Sequence, residues 1–569
     1  MKTSAADTGF PLAKIAAMFV IVTAACGWAI IFKIRSIGLD GPLNTSSNVF
    51  ERLFARNEPL GLALPALLSL FVFERANGSD AAIPSRGTFA NNDVFTTKRM
   101  TRFVWLIAVL VFAACAIGAD AGMHRMALSM DEYNADFEAQ LMREGMFAGA
   151  VPVPWQSFVL AIRPEFVTWQ PADGTWFSSY LPGYAGIRAA VGSLSGAAWL
   201  TNPLLAALSV PLLANVVRKR WPDQNWKAAF AVIAFATSSQ LLVTSMTSYS
   251  MPAHLFLNLL FLNLYLRQDA IGTVGAPLTG ALALGLHNPF PHALFVLPLL
   301  VRAARERKAT VTALWAFIYL LASAVWLRFL VNAHPLGATG GLLDIFRWPT
   351  LSQGPLQFMN LGLLISWQSP VTALLLIAAL TGVRRLRGLE MDLAIGVLLS
   401  FGFYLLFPST QGHGWGFRYV FGVLGNMCVL ATAATPWFDA ALGARSFRRF
   451  AYISLLLTVT VQIPLRLHQA FSFTRPFSRA MRLLEDSDAD LVLVDTDSLW
   501  YGRDLIRNDP LFRTRPILAR SSMFSVAQQE MLAARYGLRI THSRVQDLID
   551  AGLERVVTSP PDSAGASRR

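Results

Sequence analysis

Asp131 and Glu132 stand side by side about nine residues beyond an apolar run at 103–122, where the chain first enters a long polar stretch. A carboxylate held at a membrane surface can take a proton from an incoming hydroxyl or amine. The pair could also hold a divalent cation such as Mg²⁺ or Mn²⁺, although two acids supply no third ligand. Far along the chain, Arg418 follows the glycine-rich run Gln411-Gly412-His413-Gly414-Trp415-Gly416. A guanidinium there can grip a phosphate through two parallel hydrogen bonds, or it can snorkel to lipid headgroups. His413 in that run is either a hydrogen-bond donor to a ligand or a solvated interfacial histidine. His287 and His292 flank Asn288-Pro289-Phe290-Pro291, where each could line a cavity or make a structural hydrogen bond. His254, near the start of an apolar run, reads as a satisfied residue between helices.

The acidic pair has a plainer reading. Ser129-x-x-Glu132 fits a capping box, and Asp131 in a first helical turn complements the helix dipole. Tyr133, Phe137 and Leu141 recur every four residues with charges between them, predicting an amphipathic helix over 132–144 that stops at Gly145. Its apolar face is expected to rest on lipid or on the transmembrane core. Trp169, Trp176 and Tyr180 follow, suited either to an interfacial aromatic belt or to stacking on a sugar ring.

The elements that must position these residues are membrane helices. With 569 residues, 54% of them hydrophobic and 15% charged, and a mean hydropathy of +0.45, the chain has too little polar surface for a soluble multidomain protein. The net charge of +13 is not a nucleic-acid signature. Its basic residues gather at the ends of apolar runs, at Lys98-Arg99, Arg218-Lys219-Arg220, 302–308, 384–387 and 445–449, which is the positive-inside pattern. Cys26, Cys115 and Cys428 all fall in apolar stretches and read as small core residues.

Apolar runs at 12–32, 59–73, 103–122, 200–217, 228–245, 250–266, 276–287 with 291–301, 310–331, 361–383, 391–408, 417–435 and 449–465 predict a polytopic α-helical membrane protein of roughly 13 spans, N-terminus inside and tail outside. Residues 123–185 then form an outer loop, and 184–198 is interfacial or re-entrant. The short pair around 287–292 reads as broken helices whose polar turn faces a cavity. From about 470 the pattern changes to a small α/β domain, with strands at 489–495, 539–541 and 555–558, a helix at 526–536, and a disordered tail from 559. Asp495 and Asp497 lie where such domains can place ligands, but without a glycine-rich loop. Three regions result: a membrane hairpin and cytoplasmic loop (1–102), a transmembrane catalytic region (103–468), and an extracytoplasmic α/β domain with its tail (469–569).

In order along the chain come Asp131-Glu132-Tyr133, then Glu144-Gly145-Met146-Phe147. Ser179-Tyr180-Leu181-Pro182-Gly183-Tyr184 and Asn202-Pro203-Leu204-Leu205 follow, and Gly414-Trp415-Gly416-Phe417-Arg418-Tyr419 closes the set. This arrangement resembles glycosyltransferase family 39 and the related GT-C membrane enzymes, which include protein mannosyltransferases and lipid A aminoarabinose transferases. The resemblance spans about 100–310 and returns at 414–419. It implies a GT-C-like fold and an active site on the extracytoplasmic, periplasmic face of the cell membrane. There a sugar would pass from a polyprenyl-phosphate donor to a lipid, glycan or protein acceptor. It implies Asp131 as general base or acceptor-orienting carboxylate, with Glu132 beside it. Arg418, His413, Tyr180 and Tyr419 would bind substrate. Where the family often has Tyr-Pro-Pro-Gly this chain has Tyr180-Leu181-Pro182-Gly183, and His287-Asn288-Pro289 replaces an Arg-Pro step, leaving His287 or His292 as hydrogen-bond donors to the phosphate of the sugar donor. The rival readings are a transporter or flippase of lipid-linked saccharides and a non-catalytic scaffold.

Overall fold

The computed structural model describes residues 11–37, 58, 61–72, 74, 96–333, 354–406 and 413–556. The chain is a polytopic helical membrane protein. Among the described residues seven helices are long and apolar enough to cross a bilayer: 12–31, 97–122, 198–220, 309–331, 389–406, 418–442 and 444–485. Further apolar helices of 10–17 residues pack among them, so the expected figure of 13 spans is not established by length alone. Trp105, Leu106, Val109 and Leu110 on one helix and Phe317, Leu320 and Leu321 on another are exposed, as lipid-facing side chains should be. All three cysteines are buried and free.

Several expected spans are broken. The run 228–245 divides into Asn225–Ala236 and Ser239–Thr244, and 361–383 into Gly354–Ser366 and Pro370–Thr381. A break inside a membrane is tolerated where protein satisfies the freed carbonyls. Gln462 does so here, donating Nε2 to Ser366 O at 2.6 Å and to Gln368 O at 2.9 Å. Glu58 and Arg466, both buried, pair at 2.8 Å and tie the N-terminal segment to the last long helix.

The basic and acidic termini sort to one end. Glu390 and Asp392, in the first turn of the Leu389–Leu406 helix, pair with Arg220 and Arg302, each in the C-terminal part of its own helix. The Arg220–Glu390 contact is 2.6 Å. Tyr404 lies at the opposite end of Leu389–Leu406, and the candidate site is at that end.

The segment after the Thr97–Ile117 helix forms the helix Met130–Arg143 and a three-stranded antiparallel sheet of Gly149–Ala150, Thr175–Ser178 and Val167–Gln170 in that spatial order. The stretch expected to be interfacial or re-entrant is the helix Gly183–Ser195, packed against Met130–Arg143 and joined to it by the Arg188–Asp136 ion pair. At the C-terminus, Leu491–Val494 lies between Ile517–Arg520 and Ile540–His542 in a parallel sheet, with the helix Val526–Tyr536 where the sequence places it. Strand Ile517–Arg520 has no counterpart in the sequence expectations. Of the 555–558 strand, Arg555 makes an isolated bridge to Leu499; the tail from 557 lies outside the described residues. The last membrane helix runs without interruption through residue 469 to Glu485.

The amphipathic helix does not lie on lipid. Phe137 and Leu141 join Trp176, Leu491 and Ile517 in one buried cluster, so its apolar face seats the α/β domain. Trp176 is fully buried, stacked on Phe512 at 4.8 Å, with Nε1 donating to Pro510 O at 2.9 Å. It therefore belongs neither to a belt nor to a sugar platform. Tyr133 Oη donates to Asn508 O at 2.7 Å, and Asn508 Nδ2 donates to Ile162 O at 2.6 Å, which extends the seam.

Candidate active site

The Met130–Arg143 helix has Ser129 at its N-cap, but the capping box is not formed. Ser129 Oγ is instead 2.9 Å from Tyr249 Oη, and the Glu132 carboxyl turns away to accept from Ser248 N at 2.9 Å. Neighbouring positions on a helix point about 100° apart, so Asp131 and Glu132 enter different surroundings.

Asp131 faces a cavity of about 320 Å³. Tyr180 Oη donates to its Oδ1 at 2.5 Å, and Arg418 Nη1 donates to its Oδ2 at 3.0 Å. Burial opposes ionisation of Asp131, but the Arg418 charge and the bonds from Tyr180 and Arg418 hold its carboxyl below the usual value. Glu132 is fully buried, and its Oε1 has no partner. Burial pushes its carboxyl up to about 8, against a smaller opposing effect of the Ser248 amide. Two adjacent acids thus take opposite protonation states at neutral pH, Asp131 charged and Glu132 neutral. Glu132 is not among the residues that line the cavity.

Tyr180 is placed by the loop that carries it. Gly183 N donates to Gly285 O at 2.8 Å, and Tyr184 N to Leu286 O at 3.0 Å, pinning this loop to the turn before His287. A Cβ at Gly183 would lie 2.5 Å from Gly285 O, so only glycine allows the approach. The His287 ring then meets the Tyr180 ring at 4.0 Å between centroids. Burial pushes the His287 imidazole down to about 4, leaving it neutral at pH 7. As expected, the polar turn between Ala270–Leu284 and Phe290–Glu306 faces a cavity, and His287 and Asn288 line it.

Arg418 is delivered by a tight hairpin in which His413 pairs with Phe417 and Gly414 with Gly416, the latter at φ +87°. Its guanidinium lies over the Tyr249 and Tyr419 rings, 5.7 and 5.3 Å from their centroids. Tyr419 in turn stacks on Tyr404 at 4.6 Å. The backbone of His413 is described, but its side chain lies outside the described residues.

Asp131, Tyr180, His287, Arg418 and Tyr419 therefore converge on one cavity. His292 does not join them: Nδ1 meets Asn258 Oδ1 at 2.7 Å and Nε2 meets Tyr319 Oη at 2.9 Å, so both ring nitrogens are engaged in helix packing. The sequence pattern does not single out Phe166, Tyr249 or Tyr404 as cavity residues. Phe166 holds φ +62°, a left-handed conformation rare for an aromatic residue and often found where a site imposes it. His254 also lines the cavity, and it is not the satisfied residue that its position suggests. Both Asp131 oxygens already have partners, and among the described residues no group of three or more His, Cys, Asp and Glu side chains is arranged to hold a metal.

No protein-family model matches the chain, and no curated protein matches it. Among solved structures it is similar to ArnT from Cupriavidus metallidurans bound to undecaprenyl phosphate, with 15% identity, a TM-score of 0.46, and coverage of 72% of this chain and 85% of that one. ArnT from Cupriavidus metallidurans in the apo state is similar at 15% identity, with the same coverage and a TM-score of 0.44.

Proposed function

We propose that this chain is a GT-C membrane glycosyltransferase that moves a sugar from a polyprenyl-phosphate donor to an acceptor on the extracytoplasmic side. The observation that carries the reading is the Asp131–Arg418 ion pair, flanked by Tyr180, on a cavity at the helix ends opposite the basic clusters. The positive-inside rule reads those clusters as cytoplasmic, which supports an extracytoplasmic cavity.

A base and a phosphate-binding cation that hold each other are ready for a change of partners. The donor phosphate draws Arg418 towards itself, since guanidinium binds phosphate bidentately. Asp131 then loses a charge partner that lowers its proton affinity, and becomes a better base. The acceptor hydroxyl or amine passes its proton to Asp131 as its oxygen or nitrogen bonds to the anomeric carbon. The bond from that carbon to the phosphate oxygen breaks, and polyprenyl phosphate leaves with its charge held by Arg418. A single displacement inverts the anomeric centre. Tyr180 orients the Asp131 carboxylate, and the Tyr404–Tyr419 wall offers aromatic surface to the sugar or the first isoprene unit.

The test is a transfer assay on the full chain in lipid nanodiscs with a panel of undecaprenyl-phosphate sugars and candidate acceptors. Release of undecaprenyl phosphate with inverted product is expected. Movement of the lipid-linked sugar across a bilayer with no bond broken would replace this reading with a flippase. Labelling a cysteine placed near Asp131 tests the face: reaction with a membrane-impermeant reagent from the periplasm is expected, and access only from the cytoplasm would overturn the topology.

A further inference from the structure

Two histidines approach the floor of the site from neighbouring helices, and they are differently satisfied. His292 on Phe290–Glu306 has a partner at each ring nitrogen, Asn258 and Tyr319. His254 lies on Met251–Tyr265, one turn before Asn258, is 2% exposed and lines the cavity, yet neither Nδ1 nor Nε2 has a partner. Buried polar groups are almost always hydrogen-bonded, and leaving one unmade costs roughly 1–3 kcal/mol. An imidazole with two unmade bonds in the wall of a cavity is therefore a candidate to meet something that enters the cavity and settles against that wall.

Among the described residues the hydrogen bonding between helices at this point is carried by Asn258 rather than by His254. Asn258 already bridges the helices, donating Nδ2 to Gly422 O at 2.9 Å and engaging His292 through Oδ1. Gly422 lies close by, since a Cβ placed on it would be 3.6 Å from His254 Cβ. A smaller apolar residue would fit the same corner.

The chemistry of the ring narrows the ligand. A neutral imidazole offers one N–H donor and one lone-pair acceptor, whichever tautomer it takes. An ionised phosphate only accepts, and Arg418 is the single Lys or Arg among the described residues lining the cavity. A hydroxyl both donates and accepts, so it can bond whichever ring nitrogen it reaches, in either tautomer. We infer that His254 is a sugar-recognition residue, hydrogen-bonding a hydroxyl of the transferred sugar while Arg418 binds the phosphate. The inference rests on the glycosyltransferase reading and deepens it. A site built to hydrogen-bond a hydroxyl discriminates strongly against a ligand lacking it, because its own polar groups are then left unpaired.

The test is equilibrium binding by the full chain in nanodiscs to undecaprenyl phosphate and to undecaprenyl phosphate carrying glucose, mannose or arabinose. His254→Phe keeps an aromatic ring and removes both nitrogens, and His254→Gln restores a donor and an acceptor. For the sugar lipid bound most tightly by the native chain, His254→Phe is expected to weaken binding about tenfold, while undecaprenyl phosphate binding stays within about twofold. His254→Gln should recover most of the loss. Equal weakening of both ligands by His254→Phe, with no recovery in His254→Gln, would make His254 a structural or phosphate-binding residue and overturn the inference. No change for either ligand would overturn it as well. Binding of neither lipid by the native chain would instead remove the glycosyltransferase reading on which it stands.

Discussion

Arg418 Nη1 lies 3.0 Å from Asp131 Oδ2 although 287 residues separate them in the chain. The two come from the N-terminus of the Met130–Arg143 helix and from a hairpin just before a late membrane helix. Surface ion pairs are worth little, but this one is largely buried beside a cavity, where the two charges interact more strongly than they would in water. A ligand that takes one partner therefore alters the other.

Tyr180→Phe should shift the acid limb of the kcat/KM profile to higher pH. The Tyr180 hydroxyl stabilises the charged form of Asp131, one of the influences that hold its carboxyl below the usual value. Removing it raises the proton affinity of the base, so activity is lost sooner as the pH falls. A pH–rate profile of both proteins checks this, and coincident acid limbs would contradict the role given to Tyr180.

Glu132→Gln should flatten part of the dependence of stability on pH. The folded chain holds a proton on Glu132 up to about pH 8, whereas an unperturbed glutamate releases it near 4.5. Its contribution is therefore fully present below about pH 4.5 and is lost as the pH rises through about 8. Glutamine keeps the neutral state throughout. Thermal melts across that window should show the native Tm falling more steeply with pH than that of the variant. Parallel curves would mean that Glu132 is ionised in the folded protein.

The sequence made the type and place of several parts legible, and physical reasons explain the parts that it hid. The helix at 526–536 carries its own signals, a Ser525–Gln528 capping box and a left-handed Gly537 at its end, and both are local. The Ser129–Glu132 box has the same local signature but is overridden, because Tyr249 takes the serine hydroxyl and the Ser248 amide takes the glutamate. Those partners lie 120 and 116 residues away, beyond any spacing rule. The amphipathic stripe of Tyr133, Phe137 and Leu141 was readable as a helix, but a stripe does not say what covers it; the cover is the α/β domain rather than lipid. Asp131 and Arg418 were legible by residue type and by the family resemblance. His254 was not, because a histidine near the start of an apolar helix looks the same in sequence whether or not its bonds are made.

Gly183→Ala should destabilise the chain by about 1–3 kcal/mol and lower activity further than stability, through overpacking against backbone that cannot yield easily. The added methyl meets Gly285 O and Leu286 Cα, and it pushes apart the two segments that carry Tyr180 and His287. A melt together with a transfer assay reads both effects. A variant of native stability and activity would show that this contact is not needed.

Asn508→Ala should loosen the seam between the segment at 130–183 and the α/β domain. Asn508 donates to Ile162 O at 2.6 Å and to Leu518 O at 2.8 Å, and it accepts from Leu518 N at 2.8 Å. Alanine leaves these backbone groups buried and unpaired at a cost of roughly 1–3 kcal/mol each. Hydrogen exchange should rise around residues 158–165 and 517–520 together. A rise on one side alone would contradict a shared seam.

Asp131→Asn is the most direct test of the central claim, because it keeps the size of the side chain and its hydrogen bonding to Tyr180 while removing the charge and the base. With the best undecaprenyl-phosphate sugar and acceptor, kcat should fall by about 10²–10⁴-fold, while undecaprenyl phosphate still binds at Arg418. Turnover by Asp131→Asn equal to that of the native chain would contradict the assignment of Asp131 as the base.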